Sequence, residues 1–233
     1  FAQDEAMLNE LDQALAEVAE TTVVQADVFD DLADLASEDA EFQEFEQVIS
    51  EAREKVDMRI YSYVIMPNHW HMILSPYNDG DLQRFMARLT MTHTQRWHRD
   101  HGSVGTGHLY QGRYKAFPVS TDEYFLTACR YGEQNPLRAK LVTRSEDWRW
   151  GSLWRREFGS GEERAILSPW MTKAPQAYLQ WVNEFDSDDR LAQLRTCVNR
   201  GQPFGSPSWI EETTKRFSLE STFRSVGRPW EKK

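Results

Sequence analysis

The feature that most narrows the fold is a change of hydrophobic period at Met58. Before it, Phe42, Phe45, Val48, Ile49, Ala52 and Val56 recur at helical spacing. After it, Met58 to Met66 is dense in β-branched and aromatic side chains, Pro67-Asn68 supplies turn chemistry, and His69 to Leu74 resumes an extended pattern, so the segment predicts a β-hairpin. A helical stripe then returns with Leu82, Phe85, Met86, Leu89 and His93 and runs to about Trp97, until Gly102 to Gly107 break it. His108 to Val119 reads as another strand or hairpin. Ser120 with Glu123 forms a capping box that opens a further helix, predicted to stop near Asn135 because Pro136 disfavours helical geometry in the residue before it. Helices and strands thus follow one another in an α+β order.

The flanks differ from this centre. Leu8, Leu11, Leu15 and Val18 predict an acidic amphipathic helix, and Thr21 to Val24 a short strand. Beyond the aromatic segment Trp148 to Trp154, whose tryptophans read as core packing, Pro169, Pro175, Pro203 and Pro207 separate short helical patterns. Ser208 with Glu211 reads as a second capping box, opening a helix that carries Trp209, Ile210, Thr213 and Phe217. The expected division is a leader over 1–40, a central unit over 41–157 and a helical tail over 158–233. With 233 residues, 40% of them hydrophobic, one good core and its appendages can be buried.

Charge is divided as sharply as period. The chain carries −10 overall, but residues 1–57 hold 18 acidic and 2 basic side chains, a net of −16, so the remainder carries +6. The acidic total belongs to the leader, and the body suits a polyanionic partner. No apolar stretch is long enough to cross a bilayer and no basic-then-apolar leader is seen, so no membrane partner and a soluble cytoplasmic location are expected. The two cysteines, Cys129 and Cys197, provide neither a disulfide framework nor a metal cluster.

Two constellations can carry chemistry. Side chains in a strand alternate faces, so His69 and His71 share one face while Trp70 points to the other, and two adjacent imidazoles can chelate a divalent metal. The same pattern also suits packed or surface histidines. Tyr131 and Asn135, four apart on the predicted helix, share a face. There a phenol and an amide oxygen face one pocket, with a core tyrosine and a helix stop as the plainer alternative. Around them Arg96, Trp97, Tyr110, Arg113, Tyr114 and Lys115 interleave positive charge with flat rings, a mixture that binds phosphates and stacks unpaired bases, and Arg138 and Lys140 are further backbone-contact candidates.

The ordered blocks YSYVIMPNHWHMIL, LTMTHTQRWH, GTGHLYQGRYKAFPV, ACRYGEQNPLRAKLV and DWRWGSLWRR resemble the REP-associated tyrosine transposases, single-tyrosine HUH enzymes of the IS200-like superfamily. The resemblance extends from about Phe42 to the C-terminal ESTFRSVGRP. It implies a ferredoxin-like antiparallel sheet, with His69 and His71 as metal ligands on a central strand, Tyr131 as nucleophile on a neighbouring helix and Asn135 as the third ligand. Mg2+ or Mn2+ is the implied metal and hairpin-forming single-stranded DNA the implied partner. Cleavage through a 5'-phosphotyrosine follows, by a protein expected to act as a monomer, with a tyrosine-exchanging dimer as the alternative.

The match departs at the N-terminus. Family members open with a strand and a basic turn, whereas here Thr21 to Asp27 is followed by carboxylates. Such a leader suits contact with the basic groove, contact with a protein partner, or a plain solvated extension. It also raises a second functional reading, an inactive or domesticated hairpin-DNA-binding protein. Gly132, a poor helix former beside the candidate nucleophile, is expected to loosen the tyrosine's placement.

Overall fold

The computed structural model describes residues 21–28, 39–120, 123–184 and 188–224. The leader helix expected before Thr21, most of the acidic run after Asp27 and the basic C-terminal end lie outside the described residues.

The centre of the chain runs β1 (Thr22–Asp27), α1 (Asp39–Lys55), β2 (Met58–Met66), β3 (His69–Pro76), α2 (Asp81–Asp100) and β4 (Lys115–Pro118). The four strands form one sheet in the order β2-β3-β1-β4, with every neighbouring pair antiparallel. This is the ferredoxin-like arrangement that the family resemblance implies. The hairpin closes as expected across Pro67-Asn68, where Met66 pairs with His69. Its register shifts between Ile60 and Ser62. An extra residue of this kind breaks the alternation of faces, which lets Tyr61 and Ser62 both serve the side of the sheet that bears the histidines.

Each sheet face has its own core. On one, α1 buries Phe42, Phe45, Val48, Ile49 and Ala52 and α2 buries Leu82, Phe85, Met86 and Leu89, both against Val24, Trp70, Met72 and Ala116 of the strands. Each such side chain contributes roughly 1.5–3 kcal/mol when fully buried. On the other face lies α3 (Glu123–Glu133), joined by α5 (Ser152–Glu157), α7 (Tyr178–Asn183) and α8 (Asp188–Arg200) around Val23, Ile73, Phe117 and Phe125. The tail enters both cores, with Ile166, Phe217 and Leu219 in the first and Val182, Leu194 and Phe204 in the second. Phe204 also pairs in parallel with Val119, which covers the open edge beyond β4.

The helix stops near Asn135 as expected, at Glu133, and a separate short helix, α4 (Asn135–Arg138), follows after Gln134 with Pro136 in its first turn, where a missing N–H costs nothing. Two local expectations are corrected. Only Lys115–Pro118 of the expected strand over His108–Val119 is regular; the preceding residues are irregular and touch the sheet through a single bridge between Val28 and Tyr110. The cap of α9 (Pro207–Arg216) is Ser206 rather than Ser208, because Pro207 takes the first helical position and the Ser206 hydroxyl then accepts from the Trp209 N–H. A capping box the sequence reading missed, Ser160 with Glu163, opens α6 (Gly161–Arg164). Both cysteines are free and buried. Among the described residues no helix is long and apolar enough to cross a membrane.

Candidate active site

β3 places the histidine pair on the sheet face that α3 covers. His69 sits opposite Asp27 of β1 and Met66 of β2, and His71 opposite Gln25 and Val64. The two imidazoles stand edge to face with centroids 5.1 Å apart. Trp70 between them turns to the other face and packs on Phe45, as strand alternation requires.

α3 brings Tyr131 to this pair. Its ring meets His71 edge to face at 5.9 Å between centroids. A Cβ at Gly132 would lie 3.8 Å from the His71 Cβ, an ordinary contact distance, so the helix packs on the strand without requiring glycine here. From the next short helix, the Arg138 guanidinium lies 4.5 Å over the Tyr131 ring. It donates to the Tyr131 carbonyl at 2.7 Å, to Asn135 Oδ1 at 2.6 Å and to Gln134 Oε1 at 3.2 Å. Asn135 is thus tied to the tyrosine through Arg138, while its own Nδ2 is buried without a hydrogen-bond partner.

The electrostatics favour neutral imidazoles. Burial, then the neighbouring His69, Arg138 and Lys115 hold His71 well below the usual histidine range. Burial also lowers His69, helped by Arg138 and Lys115 and opposed by Asp27. Asp27 accepts from Lys115 at 3.1 Å and from Gln25 at 2.7 Å, so a small polar network borders the pair. His69 Nδ1 lies 2.7 Å from Asn68 Oδ1. If Nδ1 carries the proton there, Nε2 keeps its lone pair, the usual way a neighbouring acceptor orients a metal-ligating histidine. His71 Nδ1 is buried without a partner. Neutral imidazoles with available nitrogens fit a divalent ion. Among the described residues no group of three or more His, Cys, Asp or Glu converges on one point; Asn135 opens α4, just beyond the tyrosine helix.

The other sequence candidates divide. Lys115 and Arg138 reach the site. Arg96 lies on α2, across the sheet, and pairs with Glu51 of α1 at 2.6 Å. Trp97 is buried and stacks on His101 at 4.1 Å, and Tyr110 is bonded to His93 Nδ1 at 2.6 Å and packs on the first core. In the structure these three side chains are engaged in helix bridging and packing on the sheet face opposite the histidines. Tyr114 is likewise partly buried against the first core. Arg113 is exposed just before β4. Lys140 is exposed at φ 60° beyond α4, a left-handed position that ends the helix.

Sequence reasoning missed the residues that hold the tyrosine helix. Glu133 is buried and its carboxylate accepts from Ser62, Ser152 and Tyr178 at 3.2, 3.0 and 2.7 Å. Arg130 donates to the Glu184 carbonyl, and Gln134 to those of Val182 and Glu184. These carbonyls close the end of α7, so the tail clasps α3 from outside while the sheet supports it from within. Gln25 and Asp27 were missed as well; only the β1 register reveals that they border the histidines.

Residues 35–135, which include His69, His71, Tyr131 and Asn135, match the family model described as Transposase IS200 like. A solved structure described as a REP-associated tyrosine transposase bound to a REP hairpin is similar over 72% of this chain and 90% of its own, at 16% identity and a TM-score of 0.48. No curated protein matches the chain.

Proposed function

We propose that this protein is a metal-dependent single-strand DNA endonuclease and strand transferase that acts at hairpin-forming DNA through Tyr131. The observation that carries the reading is the meeting of Tyr131 with His71 in one chain, 5.9 Å between ring centroids, under the Arg138 guanidinium. The IS200-like family match supports the same class of chemistry.

A phosphodiester resists attack because its anionic oxygens repel the nucleophile. A divalent ion held by His69, His71 and Asn135 would polarise the phosphate and offset its charge. Tyrosine is weakly acidic, with a reference pKa of about 10, and a cation beside it favours the phenolate form. The Tyr131 oxygen forms a bond to phosphorus, the bond from phosphorus to the 3' oxygen breaks, and the phenolic proton ends on that 3' oxygen. The product is a 5'-phosphotyrosine and a free 3'-hydroxyl, which conserves the bond for rejoining. Lys115, Arg113 and Lys140 are proposed backbone contacts, the last two because they are exposed cations on the segments flanking the site. The division into a leader over 1–40, a catalytic unit over 41–157 and a tail over 158–233 is retained as a proposal, as is a monomer with its tyrosine in cis.

Incubation with labelled hairpin oligonucleotides and Mn2+ tests the reading. A covalent adduct is expected with the native protein and none with Tyr131→Phe. Tight, salt-sensitive hairpin binding without an adduct would instead establish the inactive DNA-binding reading.

A further inference from the structure

Arg138 joins the tyrosine to the Asn135 amide in the candidate site. Three of its hydrogen bonds are to the Tyr131 carbonyl, Asn135 Oδ1 and Gln134 Oε1, and its guanidinium covers the tyrosine ring. Gln134 is itself fixed by the carbonyls of Val182 and Glu184, so this resting place is a built one. The Asn135 oxygen is the atom an amide offers to a hard cation, and here a guanidinium nitrogen holds it at 2.6 Å. A guanidinium and a divalent ion cannot share one oxygen closely, because their like charges repel strongly at such range inside a protein. The amide is moreover only half satisfied, with its Nδ2 buried and unpartnered. Phosphate is the natural second partner for this side chain, since the planar guanidinium binds its oxygens in a forked, charge-assisted geometry.

We propose that Arg138 is a positioning residue that occupies the metal side of the site in the free protein and transfers to a phosphate of bound DNA. The transfer releases Asn135 Oδ1 and couples metal binding to substrate binding. This rests on the reading of His69, His71 and Asn135 as the metal-holding set. In the free protein the guanidinium screens the tyrosine and weakens metal binding. Once DNA draws it away, the third ligand becomes available beside the nucleophile. The coupling is reciprocal, so metal must tighten DNA by the same factor that DNA tightens metal.

The experiment measures Mn2+ affinity by electron paramagnetic resonance or calorimetry, with and without hairpin DNA, in a Tyr131→Phe background that keeps the ring and prevents cleavage. With Arg138 present, DNA is expected to raise Mn2+ affinity by about 5-fold or more, within the usual range of coupling between sites. Arg138→Ala is expected to bind Mn2+ more tightly than its parent without DNA, and to lose most of the DNA-induced increase. Arg138→Gln, which removes the charge but keeps a hydrogen-bonding side chain, serves if the alanine variant unfolds, and should move in the same direction. A merely structural arginine would weaken metal and DNA binding together and leave their coupling intact, and that result overturns the proposal alone. If Mn2+ does not bind in a His71-dependent way even with Arg138 present, the ligand assignment fails and the proposal falls with it.

Discussion

Replacing Glu133 probes how the tyrosine helix is held. Burial raises the Glu133 carboxyl above the usual range, against the lowering influence of Tyr178, Arg156, Ser152 and Ser62. A raised native pKa means the folded state binds more protons than the unfolded state between the unfolded value, about 4.3, and the folded one. Stability contributed by this group is therefore fully present below the unfolded pKa and is lost as pH rises through the folded pKa. Glu133→Gln removes the titration and keeps the shape. Its amide oxygen can still accept from Ser62 and Ser152, its NH2 can donate to the Tyr178 hydroxyl, and Arg156 retains the Tyr61 and Ser168 carbonyls. Glu133→Ala instead strands the buried Tyr178 hydroxyl and leaves a small cavity, while Ser62 and Ser152 keep each other at 3.0 Å. One unsatisfied hydroxyl costs about 1–3 kcal/mol. With the lost serine bonds and the cavity, the alanine variant should lose about 2–4 kcal/mol, or roughly 5–15 °C in Tm for a chain of this size. Urea unfolding at pH 5 and pH 8 separates the two effects. The native protein should lose stability relative to the glutamine variant as pH rises, and the alanine variant should be worst at both. Parallel pH curves for the native and glutamine proteins would refute the claim that this carboxyl is buried with a raised pKa.

Two further outcomes follow from packing. Gly132→Ala should be tolerated and add about 1 kcal/mol of thermal stability through helix propensity, since its Cβ makes only ordinary contact with His71; Gly132→Val should push α3 off β3 and abolish the adduct with Tyr131. Arg155→Ala should cost about 3–5 kcal/mol in denaturant unfolding, because it strips Glu46 of its buried partner and leaves the carboxylate with the Tyr63 hydroxyl and an Arg149 nitrogen 3.8 Å away. Combining Arg155→Met with Glu46→Leu should recover most of that loss.

Much of this molecule was legible in one dimension. The period change at Met58, the Pro67-Asn68 turn and the stripes of α1 and α2 are local signals, and they fixed the order of elements because each depends on neighbours a few residues away. Alternation alone set His69 and His71 on one face. Composition could not decide which rings face DNA and which face the core. Arg96, Trp97 and Tyr110 carry the residue types of a single-strand binder, yet the structure turns them toward α1 and the far side of the sheet. That choice is made by which face each helix buries, a matter of packing between elements distant in sequence. The same holds for the partners of the histidines. Gln25 and Asp27 reach them through strand register, Arg138 comes to Tyr131 on the separate short helix beyond α3, and Glu133 is held by Tyr178 of the tail, 45 residues further on. The sequence by itself determined the elements and the chemistry they can carry; only the tertiary structure decided which of those groups meet, because hydrogen bonds and charges act over a few ångströms and the chain must fold before those distances exist.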